Sequence, residues 1–168
     1  MIDDYTSFVQ NEVSTKRLEK VDMKQIKVLK KNPAATLPSY ATAGASGLDL
    51  HACIPHPIYL QPGVRFTCPT DIGMEIPEGF EGQVRPRSGW SKKHGITVLN
   101  APGTVDADFR GEIMAILINH GDQAVMIEPG ERVAQLVIAP VVRVDLIESE
   151  NLDVTDRGEG GFGSTGTN

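Results

Sequence analysis

The sequence predicts an all-β fold of short strands with one short helix. Three observations carry this expectation. Apolar and polar residues alternate in short runs, the period of a half-buried strand. Gly (17) and Pro (11) are plentiful and fall between those runs, where turns are needed. Aromatic residues are only 5% of the chain, so the core must be built mostly from Val, Ile, Leu and Ala.

Taken in order, residues 1–24 stand apart. They mix charges at Lys16, Arg17, Glu19 and Lys20, and Tyr5, Phe8, Val9 and Val13 form one weak helical stripe. An N-terminal extension dispensable for chemistry is expected there. From Gln25 the strand period begins. Ile26 and Val28 alternate with lysines, and Leu48, Leu50 and Ala52 alternate with Asp49 and His51. Val64, Phe66 and Cys68 alternate with Arg65 and Thr67, and Met74 and Ile76 follow in the same way. Pro62-Gly63, Pro77-Glu78-Gly79, Pro102-Gly103 and Pro129-Gly130 bound the runs. Such spacing indicates a sandwich, jelly roll or barrel. Two stretches break the alternation: Ile113 to Ile118 is continuously apolar, and Val133 to Val142 carries no charge. Each reads either as a central strand or as a strand buried against another subunit. The one helix is expected from Gly89 to about Lys93, with Ser88 as N-cap and Gly95 as its stop. Residues 156–168 form a Gly-rich tail that should not fold alone.

With 168 residues, the chain has the size of one ordinary domain. Its net charge of −6 disfavours bulk nucleic-acid binding. The same charge means that any bound phosphate needs local arginines, backbone N–H groups or a metal. Cys53 and Cys68 form no CxxC pair and no zinc spacing, so both read as ordinary thiols of a reducing compartment. No apolar run is long enough for a membrane helix, and the opening MIDDYTSFVQ is too acidic for a leader. A cytoplasmic protein is expected.

Five segments carry chemistry. The tail places Arg157, Phe162, Ser164 and Thr165 among glycines, residue types that pair with phosphate, stack on a base and cradle oxygens. It is either a flexible end or a lid that orders over a ligand. Arg85-Pro86-Arg87-Ser88-Gly89 runs into the helix, whose N-terminus suits an anion. Leu99 to Gly111 contains Pro102-Gly103 and reads as a hairpin, whose backbone groups can meet the edge of a base. In it Asp106 and Asp108 alternate with Val105, Ala107 and Phe109, so one carboxylate could orient a water. Asp49 is an acid inside an apolar strand and needs a partner, a water or a metal. A magnesium ion held through water fits, because magnesium keeps much of its hydration shell. Last, Arg132 and Gln135 are polar insertions in an apolar strand.

In this order the five segments resemble the five motifs of the trimeric dUTPase family, from Ser46 to Gly166. The resemblance implies a jelly-roll-like β-barrel assembled as a homotrimer with active sites shared between subunits. It implies a domain at residues 25–155 and a nucleotide lid at 156–168. It also implies hydrolysis of dUTP to dUMP and pyrophosphate, with Mg2+ as cofactor. Matching motif by motif, Asp49 holds magnesium through water, and Arg87, Ser88 and Gly89 bind phosphate. Asn100, Gly103 and Val105 bind uracil, Asp106 positions the attacking water, and Gln135 contacts phosphate. Arg157, Phe162, Gly163, Ser164 and Thr165 form the lid. Phe109 stands where the family commonly has Tyr; the ring that packs on the sugar is kept and one hydroxyl is lost. Trp90 replaces a smaller apolar residue and should pack inward. A dCTP deaminase-like enzyme and a non-catalytic nucleotide-binding regulator share the fold and are the rival readings. The complete tail argues against the first, and the acids Asp49 and Asp106 argue against the second.

Overall fold

A computed structural model describes residues 25–161. Its elements in chain order are β1 (Lys27–Lys30), β2 (Ser39–Tyr40), β3 (Leu48–His51), β4 (Ile58–Leu60), β5 (Arg65–Cys68), β6 (Ile72–Glu75) and β7 (Phe80–Arg85). After these come α1 (Ser88–His94), β8 (Ile96–Val98), β9 (Gly103–Val105), β10 (Ala115–Asn119), β11 (Val125–Ile127) and β12 (Arg132–Pro140). The fold is therefore mostly β with one short helix, as expected.

The strands form four sheets, ordered β2-β3-β12-β7-β9, β5-β10-β8, β1-β6 and β11-β4. They do not close into the expected barrel. Prolines explain part of this: Pro55, Pro57, Pro69 and Pro77 lack the N–H that a ladder needs and stand just beyond β3, β5 and β6. The two uncharged stretches are both central strands. β10 lies between β5 and β8, and β12 lies between β3 and β7. Leu50, Leu60, Ile72, Ile96, Ile113, Leu117, Ile127 and Leu136 are fully buried between the sheets. By contrast, β1 is exposed along its whole length although its sequence alternates, because it pairs only with β6.

The helix differs from the expectation by one step. Ser88 is its first residue, and Arg87 occupies the N-cap in an extended conformation with no side-chain cap. Gly95 ends it as expected, at φ 70°, a left-handed conformation that suits glycine. Trp90 packs inward and is buried. Both cysteines are free. Burial, then the neighbouring Asp71, pushes the Cys53 thiol up to about 11; burial pushes Cys68 up to about 12.

One buried polar side chain ties the loops together. Asn119, at the end of β10, is fully buried. Its Nδ2 donates to the carbonyls of Leu60 and Gln123, each at 2.8 Å, and its Oδ1 accepts from Gly121 N at 2.8 Å. Truncation removes three hydrogen bonds at once and leaves the buried Leu60 carbonyl without its donor. Asn119→Ala should lower stability by roughly 2–4 kcal/mol, read from denaturant midpoints at fixed protein concentration. An unchanged midpoint would show that water replaces the amide there.

Candidate functional site

The five-stranded sheet has one face on the core and one facing out, and its register builds a polar row. Asp49 of β3 stands opposite Gln135 of β12, which stands opposite Arg85 of β7. A β-bulge between Arg132 and Ala134 adds one residue to β12. Val133 and Ala134 are consequently both buried, and Arg132 is aligned with His51. That shift brings the Arg132 guanidinium to Asp49: Nη1 donates to Oδ2 at 3.1 Å. Arg87 approaches from the N-cap of α1, with Nε 3.9 Å from Asp49 Oδ1. Its Nη1 also donates to the Arg132 carbonyl at 2.6 Å. The Asp49 side chain is only 15% exposed, so two guanidiniums compensate one largely buried carboxylate. Gln135 Nε2 donates to the Pro86 carbonyl at 2.9 Å and so fixes the segment that carries Arg87, Ser88 and Gly89. Trp90 and Ser91 N–H both donate to the Arg87 carbonyl, at 3.1 Å, which leaves the N–H groups of Ser88 and Gly89 at the start of α1 for an anion.

His51 belongs to this cluster and was not singled out from sequence. Burial holds its imidazole below the usual histidine value; Asp49 opposes the shift, and Arg132 and Arg87 add to it. Its buried Nδ1 has no hydrogen-bond partner among the described residues. The only sequence signal was its position two residues beyond Asp49 on the same strand face.

Residues 99–111 form a second cluster, but not the expected hairpin. β8 pairs with β10 in one sheet and β9 with β7 in another, so the Pro102 turn crosses between sheets. The Ala101–Pro102 peptide is cis. Nor does strand alternation run through the two acids. β9 ends at Val105, and Phe109 N donates to the Asp106 carbonyl at 3.1 Å, closing a turn. Arg110 Nη1 braces that turn by donating to the carbonyls of Ala107 at 2.6 Å and Phe109 at 2.9 Å. The turn is favoured because its own side chain and backbone satisfy these groups locally. Asn100, Gly103, Val105, Asp106 and Phe109 line a cavity of about 220 Å³, with apolar walls from Val84, Ile113 and Ile116. Asp106 also borders a larger cleft of about 930 Å³, together with Asp108 and Arg110.

The structure thus brings the predicted site residues into two groups. Asp49, Arg87, Ser88, Gly89 and Gln135 surround the ion cluster; Asn100, Gly103, Val105, Asp106 and Phe109 surround the cavity. No residue of the first group lines the cavity. Arg157 lies apart on an exposed segment, where its Nε donates to the Gly160 carbonyl at 2.8 Å. Phe162, Gly163, Ser164 and Thr165 lie outside the described residues. One group offers clustered cations and free backbone donors. The other offers a small half-apolar cavity with an amide and a carboxylate at its edge.

The chain was compared with known proteins. The family model for dUTPase matches residues 33–166. A deoxyuridine 5'-triphosphate nucleotidohydrolase of Beijerinckia indica is 61% identical over 132 residues, 77% of this chain and 82% of the relative. One of Syntrophotalea carbinolica is 54% identical over 141 residues, 84% of this chain and 96% of the relative. Among solved structures, the dUTPase of Staphylococcus bacteriophage 80alpha with dUPNHPP superposes with a TM-score of 0.78. It is 26% identical, and the match covers 86% of this chain and all of that one. Since the matched span encloses both clusters and most of the tail, the chain belongs to the dUTPase family.

Proposed function

We propose that this protein hydrolyses dUTP to dUMP and pyrophosphate, limiting uracil in DNA and supplying dUMP. One observation carries the reading: relatives named as deoxyuridine 5'-triphosphate nucleotidohydrolases match at 54–61% identity over most of the chain. The two clusters supply the chemistry such a reaction needs.

The cavity takes the nucleoside. Asn100 and the backbone at Gly103 and Val105 meet the uracil edge, and specificity requires that this edge exclude a thymine methyl sterically. Cytosine would leave groups arranged for uracil unpaired, a loss on the order of several kcal/mol. Phe109 packs on the sugar. Asp106, exposed at the cavity edge, orients the water that attacks the α-phosphorus. Arg87, Ser88 and Gly89 take the phosphates, and Gln135 holds their segment in place through Pro86 as well as reaching phosphate itself. Catalysis is mostly positioning and stabilisation of developing charge by these donors.

Asp49 fits a water-mediated contact to magnesium. Arg132 occupies Oδ2, while Oδ1 is 3.9 Å from Arg87 and keeps acceptor capacity. No cluster of three His, Cys, Asp or Glu occurs among the described residues, so the nucleotide phosphates would supply the other ligands. When bound, magnesium neutralises part of the triphosphate charge.

A homotrimer with shared sites is part of this reading. Two features support the trimer. The segment after β12 is exposed at Val142, Val144, Leu146, Ile147, Leu152 and Val154, apolar residues that a lone chain leaves in water. The phosphate and nucleoside clusters also share no lining residue within one chain. Residues 1–24 form an extension, 25–155 the catalytic domain, and 156–168 the lid, with Arg157, Phe162, Gly163, Ser164 and Thr165 closing on the nucleotide. No described helix is long and apolar enough to cross a membrane, and a cytoplasmic location suits the substrate. With a net charge of −6, the partner is the nucleotide rather than nucleic acid.

Asp106→Asn should cut turnover roughly 10²–10⁴-fold while changing affinity for a non-hydrolysable dUTP analogue little. Near-normal turnover removes Asp106 from the mechanism. Deleting residues 156–168 should leave a folded protein of unchanged oligomeric state with poor turnover. Size-exclusion and circular dichroism check the fold, and an unfolded product makes the tail structural.

A further inference from the structure

The Phe109 ring is 43% exposed, so burial alone does not fix where it points. It is held from beneath. The ring lies directly on Gly111, where any Cβ would overlap it. Gly111 is therefore a platform, and the position of that platform sets the position of the ring.

Glu112 fixes the platform. Its Oε1 accepts two successive backbone N–H groups, Thr70 at 3.0 Å and Asp71 at 2.9 Å. Asp71 has φ 53°, a left-handed conformation uncommon for a residue with a side chain, and the paired donation holds it there. The next residue is tied to the same turn. Ile113 N donates to the Ile72 carbonyl at 2.8 Å, and Thr70 Oγ1 donates to the Ile113 carbonyl. Beyond Gly111 the chain is braced internally by Arg110 and by the Phe109–Asp106 turn bond. Residues 106–110 are thus braced within themselves, and Gly111 joins them to the residue that clamps the chain to the 70–71 turn, Glu112. Glu112 is also among the residues that line the cavity, with Asn100, Asp106 and Phe109.

We propose that Glu112 is a positioning residue for sugar discrimination: through the 70–71 turn it fixes Gly111, and thereby the Phe109 ring that excludes a 2′-hydroxyl. The inference rests on the reading of Phe109 as the sugar-facing ring. Its consequence is selective. Loosening the clamp lets the ring yield to ribose, so UTP gains relative to dUTP, while the ion cluster around Asp49 is untouched.

The test measures kcat/KM for dUTP and UTP in the wild type, Phe109→Ala, Glu112→Ala and Glu112→Gln. Glutamine keeps an acceptor oxygen at the same reach. Phe109→Ala should raise the UTP/dUTP ratio and mark the ceiling. Glu112→Ala should raise it about tenfold or more toward that ceiling, and Glu112→Gln should restore the wild-type ratio. A general loss of stability would lower both substrates together and leave the ratio unchanged. If Glu112→Ala does not fold, Glu112→Asp, one methylene shorter, carries the same expectation of a raised ratio. A raised ratio in Phe109→Ala with a wild-type ratio in the Glu112 variants overturns the positioning role alone. An unchanged ratio in Phe109→Ala overturns the sugar-facing reading and the inference with it.

Discussion

A carboxylate at a nearly buried strand position must be matched by cations, and the outer face of the five-stranded sheet is arranged around that requirement at Asp49. The bulge in β12 turns Arg132 toward it, and the extended N-cap of α1 brings Arg87 to it. Arg87 then reaches across to the Arg132 carbonyl, and Gln135 closes the ring by holding Pro86. One carboxylate on β3 thus gathers contacts from β12 and the entry to the helix. The net result is local: two arginines beside the start of α1 in a chain whose total charge is −6. An acidic protein that must hold a triphosphate needs its positive groups concentrated in this way.

The cavity proposed for the nucleoside follows a different logic. Its apolar walls are core residues such as Val84 and Ile113, and its rim is backbone held in place at both ends. The loop from Leu99 to Gly103 passes between two sheets and is fixed at both ends by ladders. The 106–110 turn is braced by its own arginine and anchored through Glu112 to a distant turn. Polar contacts as well as packing therefore set the positions of both segments.

Much of this was legible in the sequence. The alternation at Leu48–Ala52 and Val64–Cys68, with prolines and glycines between, gave the β class directly. The uncharged runs left two alternatives, a central strand or a subunit contact, and within the chain both runs are central strands. β7 was not legible because Gly82 occupies one of its inward positions: the strand passes so close to Ile76 and Leu136 that no Cβ fits, and the apolar signal disappears. Periodicity misled at Val105–Phe109, where local hydrogen bonds to Asp106 and from Arg110 make a turn out of an alternating pattern. The candidate site residues came from motif resemblance, but the Glu112 contacts and the orphaned nitrogen of His51 depend on contacts between segments far apart in the chain. No pattern of neighbours announces those.

The most direct test of the account is product analysis of the pure protein with magnesium and, separately, dUTP, dCTP, dTTP and UTP. The account predicts dUMP and pyrophosphate from dUTP, with the other three nucleotides left intact. Surviving dUTP, or ammonia released from dCTP, would contradict it.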